Sequence, residues 1–402
     1  MSASSQPAPT EDSGAVAELV AESRVVICCG SGGVGKTTIA AVLALEGARR
    51  GRDTCVVTID PAKRLADALG LEALSGTPSA IARERWDDGN TATPGGSISA
   101  LMLDTKSTFD NLVTGNAATN EQAERILDNR FYRNVSGALG GTQEYMAMEK
   151  LHELHELGRF DLIVVDTPPT RHALDFLDAP RRLLRLLDNR IFRMLMMPTR
   201  AYLKVASVAV QTFLRTVAKV VGSEVIDDVV AFFRAFEGME AGFRTRALAV
   251  EELLAAPDTA FVLVTSPRRD ALEEAQYFAH QLEEGGQLID ALIVNRVHPM
   301  FGDEAPAGLR AAAAELRNPR SDQPADRPAA ERLALRYENL ADFRDVAEIE
   351  REHLRDVHER IGSTSISYVP YLSRDVYDFA ALREIGGFLF DEPDAPSRLP
   401  DR

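Results

Sequence analysis

Gly30-Ser31-Gly32-Gly33-Val34-Gly35-Lys36-Thr37 fits the spacing G-x-x-x-x-G-K-[ST]. Glycines in such a run let backbone N–H groups turn inward around phosphate oxygens with no Cβ in the way. The lysine reaches the β and γ phosphates, and the hydroxyl of Thr37, followed by Thr38, is placed to ligate Mg²⁺. The chemistry indicated is the gripping of a nucleotide triphosphate. Two carboxylates extend it. Asp60 ends the apolar run TCVVTI, and Asp166 ends DLIVVD. A carboxylate closing four apolar residues can hold Mg²⁺, usually through water.

These groups need elements that converge on one rim. Seven short apolar, β-rich runs recur: RVVICC (24–29), TCVVTI (54–59), SISALM (97–102), DLIVVD (161–166), FVLVT (261–265), DALIV (290–294) and SISYV (365–369). They are near-continuous rather than alternating, as parallel strands covered on both faces read. Helical patterns separate them, so the fold expected is a doubly wound α/β sheet, mainly parallel, of about seven to eight strands. The glycine run follows the first strand and opens the helix TTIAAVLALEGARR, the context that its chemistry requires. Residues 105–158 and 172–256 are expected to form an inserted helical subdomain. The polar, proline-rich NPRSDQPADRPAAER is expected to be an exposed loop inside a further helical insert over 300–360. The organisation expected is a disordered tail over 1–20 and one domain over 21–402.

The bulk numbers narrow the function. Net charge is −16 over 402 residues, which argues against nucleic acid as the main partner. The longest mainly apolar run without a charge, Val205 to Leu214, is half of the about 20 residues a bilayer span needs. An integral membrane protein is therefore not expected, and the N-terminal residues lack the parts of a signal peptide. A cytoplasmic location is expected. Cys28, Cys29 and Cys55 have no zinc-ligand spacing and read as core residues. LHELHEL (151–157) has Glu156 where a zincin helix needs its second histidine. His152 and His155 are expected at the surface.

GSGGVGKTT, DPAKRLADALG, DTPPTRHALDFL and VNR (294–296) together resemble the ArsA-type ATPases. That family includes the arsenite-pump ATPase and the guided-entry ATPase that delivers tail-anchored membrane proteins. The resemblance runs from about residue 24 to about 390, specific in the loop and both carboxylate segments and weak in the helical inserts; it extends more loosely to the Min/Par group with deviant Walker A loops. It implies a P-loop NTPase fold, Mg²⁺ and ATP. It implies that Asp60 positions or activates the attacking water, and that Asp166 senses the γ-phosphate. Asn295 matches an asparagine that reads the adenine edge, and Pro370 falls where the family closes over the base. Catalysis is thus expected from Lys36, Asp60 and Asp166, and metal binding from Thr37 and Asp166. Nucleotide binding is expected from Gly30 through Thr38 (Gly30, Ser31, Gly32, Gly33, Val34, Gly35, Lys36, Thr37, Thr38) with Asn295 and Pro370.

One position departs. Relatives carry a lysine where this chain has Ser31, and that lysine reaches across a dimer to the partner's phosphates. Either a lysine-bearing homologue completes the site in a heterodimer, or another cation such as Lys63, Arg64 or Arg171 substitutes, each otherwise a solvated charge. The expected function is that of a dimeric ATPase whose nucleotide cycle moves the helical subdomain. The alternatives are a weakly hydrolysing partner subunit of a homologous ATPase, and an ATPase energising anion efflux. Residues 189–236, with Met194, Met196, Met197, Phe213, Phe232, Phe233 and Phe236, read in two ways: a subdomain packing its own core, or a groove for a hydrophobic helix or membrane-protein cargo.

Overall fold

A computed structural model describes residues 13–60, 64–87, 89, 93–135, 142–168, 170–189, 223–318, 327–361 and 365–390. Its centre is an eight-stranded sheet. In chain order the strands are β1 (Val25–Gly30), β2 (Asp53–Thr58), β3 (Ser79–Ala80), β4 (Ser97–Met102), β5 (Leu162–Asp166), β6 (Thr259–Thr265), β7 (Ala291–Val297) and β8 (Ile366–Pro370). Across the sheet they run β3-β4-β2-β5-β1-β6-β7-β8. Every pairing is parallel except the short β3 against β4. The sequence reading holds for the seven longer strands. It missed β3, whose two residues are exposed and carry no hydrophobic pattern.

β1 and β6 are buried along their whole length, as strands covered on both faces must be. Alternate residues of β1 feed two cores. Val25, Ile27 and Cys29 pack with Met148, Leu151, Val250 and Phe278 on one face. Val26 and Cys28 pack on the other with Ile39 and Leu43 of the helix after the glycine loop, and with Leu382 and Leu389 of the helix Phe379–Phe390. All three cysteines are buried in this sheet.

A third cluster gathers Leu112, Ile126, Tyr132, Tyr145, Met146, Phe236 and Phe243, with Phe232 and Phe233 packed against it. The rings stack among themselves: Phe232 lies 5.7 Å from Phe236 and 6.3 Å from Tyr132. These three phenylalanines therefore contribute to a core, as the self-packing reading has it. Met194, Met196, Met197 and Phe213 lie outside the described residues.

Three expectations change. Residues 13–20, assigned to the tail, belong to the helix Ser13–Glu22, which buries Val16 and Val20 completely. The end of the proline-rich segment is helix, not loop: Arg327–Leu354 begins there, with Pro328 in its first turn, where a missing N–H costs nothing. His152 is buried, at 8% exposure. It lies on the helix Thr142–Glu156 near Glu149, which pairs with Arg246, and burial lowers its pKa. Among the described residues no helix is long and apolar enough to cross a membrane.

Candidate functional site

The loop after β1 is shaped by its glycines. Gly30, Gly33 and Gly35 have φ of 150°, 80° and 97°, conformations closed to most side chains. A Cβ on Gly30 would lie 2.0 Å from the Val264 carbonyl oxygen, and one on Gly35 would lie 2.3 Å from Asn295 Nδ2. The turn thus stays tight against β6 and β7 at the N-terminus of the helix Lys36–Arg49, an end that favours an anion.

Lys36 is buried, and its Nζ donates to the Ser31 carbonyl at 2.8 Å. Burial lowers its pKa, against the attraction of Asp166. Ser31 itself is 6% exposed. Asp166, at the tip of β5, is 1% exposed. Its Oδ2 accepts from Thr37 Oγ1 at 2.8 Å and from Thr58 Oγ1 at 2.9 Å. Its Oδ1 is buried with no hydrogen-bond partner. Desolvation pushes this carboxyl up to about 6, against the two threonine bonds and Lys36. An unpartnered buried oxygen beside the Thr37 hydroxyl, in an all-oxygen setting, fits a hard divalent cation. Thr58 was not singled out in the sequence, although it stands two residues before Asp60 on the same strand end.

Asp60 lies just beyond β2, partly exposed, and pairs with Arg64 at 3.3 Å. Of Lys63, Arg64 and Arg171, Arg64 is thus held by a carboxylate at one helical turn. Lys63 and the side chain of Arg171 lie outside the described residues. Asp60 also acts electrostatically on Lys36 and Asp166, so the sheet gathers all three.

The opposite wall comes from β7. Asn295 Nδ2 donates to the Val34 carbonyl at 2.8 Å, and Arg296 Nη1 donates to the Gly33 carbonyl at 3.0 Å. Pro370 pairs in register with Val297, and Tyr371 N–H donates to the Val297 carbonyl. Beside them opens a cleft of about 440 Å³, walled by the glycine loop, Ser266, Pro267, Arg296, His298 and Tyr371. His298 stacks on Tyr371 with ring centres 5.1 Å apart and planes 9° apart. Glu350, on the helix Arg327–Leu354, accepts from the His298 backbone N–H at 2.8 Å, and its other oxygen lies 2.8 Å from His298 Nδ1. Arg296, His298, Glu350 and Tyr371 were not predicted. Only Arg296 had a sequence signal, as the last residue of VNR.

The comparisons agree with this geometry. A model of the family described as anion-transporting ATPase matches residues 23–312. The protein named "Putative arsenical pump-driving ATPase 1" from Aquifex aeolicus is 22% identical over 388 residues, 92% of this chain and 80% of that protein. "ATPase get3" from Aspergillus terreus is 30% identical over 167 residues, 41% of this chain and 45% of its own length. "Putative arsenical pump-driving ATPase" from Halobacterium salinarum is 31% identical over 180 residues, 42% of this chain and 26% of its own. The match therefore spans less than half of the latter two. With the glycine loop after β1 and the two strand-end carboxylates in place, the family match leads to one conclusion: this chain belongs to the anion-transporting, ArsA-type ATPase family.

Proposed function

We propose that the chain binds Mg²⁺–ATP in the loop Gly30–Thr38 and hydrolyses it. The observation that carries this reading is Asp166: buried, bonded to Thr37 through one oxygen and orphaned at the other. The loop amides and Lys36 hold the β and γ phosphates. Thr37 and Asp166 would hold Mg²⁺, the latter through water, and the ion would offset charge on the phosphates. Asp60 orients the attacking water. Asn295 spends its amide nitrogen on Val34, which leaves Oδ1 to accept from an adenine amine. Pro370 borders the base.

The protein works as a dimer in this reading, with a homologous subunit supplying the cation that Ser31 does not. The helical region around Tyr132, Phe236 and Phe243 is a subdomain that follows the nucleotide. A hydrophobic helix as cargo rests on the resemblance alone. Response to an arsenical is disfavoured by burial: Cys28, Cys29 and Cys55 are at most 1% exposed. Desolvation raises all three thiols, Cys29 and Cys55 to about 12, so no thiolate is offered.

Calorimetric titration tests the reading. Wild type is expected to take up Mg²⁺–ATP, and Lys36→Ala to lose most of that uptake while remaining folded. Uptake unchanged by Lys36→Ala would remove the basis of the assignment.

A further inference from the structure

Arg296 has φ of 64° and is the only non-glycine residue with positive φ among those described. An arginine there is strained, and such strain persists where the surroundings demand it. The pairing of β7 with β8 also slips at this point, between Asn295 and Val297. A bulge of this kind re-aims side chains, since the strict alternation of faces is broken. The result is that two consecutive residues reach the same loop. Arg296 caps the Gly33 carbonyl and Asn295 caps the Val34 carbonyl.

The consequence follows from peptide geometry. In a trans peptide the C=O and the next N–H point in opposite directions across one rigid plane. Holding the Gly33 oxygen toward β7 aims the Val34 N–H the other way. Holding the Val34 oxygen does the same for the Gly35 N–H. Gly33 and Gly35, both at positive φ, would otherwise let these planes swing freely. We infer that Arg296 is a positioning residue: with Asn295 it fixes the peptide planes of the loop so that the Val34 and Gly35 amides are set before a phosphate arrives. This rests on the reading of the loop as a nucleotide cradle and adds the device that shapes it.

Arg296→Gly is the informative variant, because glycine accepts φ of 64° without strain while the side chain and its guanidinium are lost. Three quantities are measured: the melting temperature, the amide resonances of Val34 and Gly35 without ligand, and the Kd for Mg²⁺–ATP. The melting temperature is expected to hold or rise. The two resonances are expected to shift and broaden in the ligand-free protein. Affinity is expected to fall about five- to tenfold, the effect of one hydrogen bond, with Arg296→Lys recovering part of it. Unmoved resonances would overturn the inference even if affinity fell, since Arg296 would then be touching the ligand directly. Unchanged affinity would overturn it too. If wild type takes up no Mg²⁺–ATP, the cradle reading fails and this inference with it; if wild type binds and Arg296→Gly binds equally, only the inference fails.

Discussion

Asp166 shows how one side chain can be costly to the empty protein and useful to the loaded one. Its carboxyl is 1% exposed and its pKa is raised by burial from 3.8 to about 6. An acid with a raised folded value holds its proton longer in the native state than in the unfolded chain. Between pH 3.8 and about 6 the native state therefore binds the extra proton, and stability falls as pH rises through that window. Above it the full penalty remains, about 3 kcal/mol from the size of the shift. A divalent cation near the orphaned Oδ1, reached through water, would offset part of it. Asp166→Asn is expected to raise the melting temperature of the metal-free protein at pH 8, since both threonine hydroxyls keep an oxygen acceptor. The advantage is expected to shrink by about half between pH 8 and pH 5. Melting curves across that range decide it, and a pH-independent difference would mean that Asp166 does not titrate as its burial requires. Gly30 makes a different kind of demand. The Val264 oxygen, 2.0 Å from where its Cβ would stand, is backbone that cannot step aside.

At the scale of elements, the rim of the sheet joins parts far apart in the chain. The helix Arg327–Leu354 reaches the cleft through Glu350, whose two oxygens meet the backbone N–H and the Nδ1 of His298. Glu350→Ala would leave two polar groups of a half-buried histidine without their acceptor. The expected loss is about 1–3 kcal/mol, read as a lower denaturant midpoint at unchanged slope. Glu350→Gln, which keeps one acceptor oxygen, is expected to lose less. Equal stability of all three proteins would show that this contact does not form in solution. The sequence contained no sign of this pair, because nothing local links positions 298 and 350. By contrast, β1, β5, β6 and β7 were legible, since burial on both faces writes a continuous apolar run. The loop and Asp166 were legible for a related reason: a fixed spacing at a strand end has few other uses. The bulge at Arg296 was not, because its cause is the register against β8, some 70 residues away. His152 was misplaced because a histidine in LHELHEL looks the same whether its helix face meets water or Arg246.

At the scale of the whole molecule, the proposed cradle of β1, β5 and β7 has Ser31 where the resemblance implies a lysine. Lys36 is folded onto the Ser31 carbonyl, and Arg64 is engaged by Asp60. Ser31 is buried and carries no cation to project toward a second subunit. Phosphoryl transfer gains on the order of 10³–10⁵ in rate from a cation supplied to the transition state. The isolated chain is therefore expected to bind Mg²⁺–ATP yet turn it over slowly. Mixing with a homologue that carries lysine at the equivalent position is expected to raise turnover, and the gain is expected to vanish when that lysine is removed. Ser31→Lys in this chain is expected to raise turnover without a homologous partner, and on the proposed dimer reading the rate is expected to rise more than linearly in protein concentration. Steady-state rates over a concentration series distinguish the cases. Fast turnover by wild type alone, unchanged by Ser31→Lys, would mean that a cation already within this chain completes the site, and Arg64 released from Asp60 would be the first to substitute.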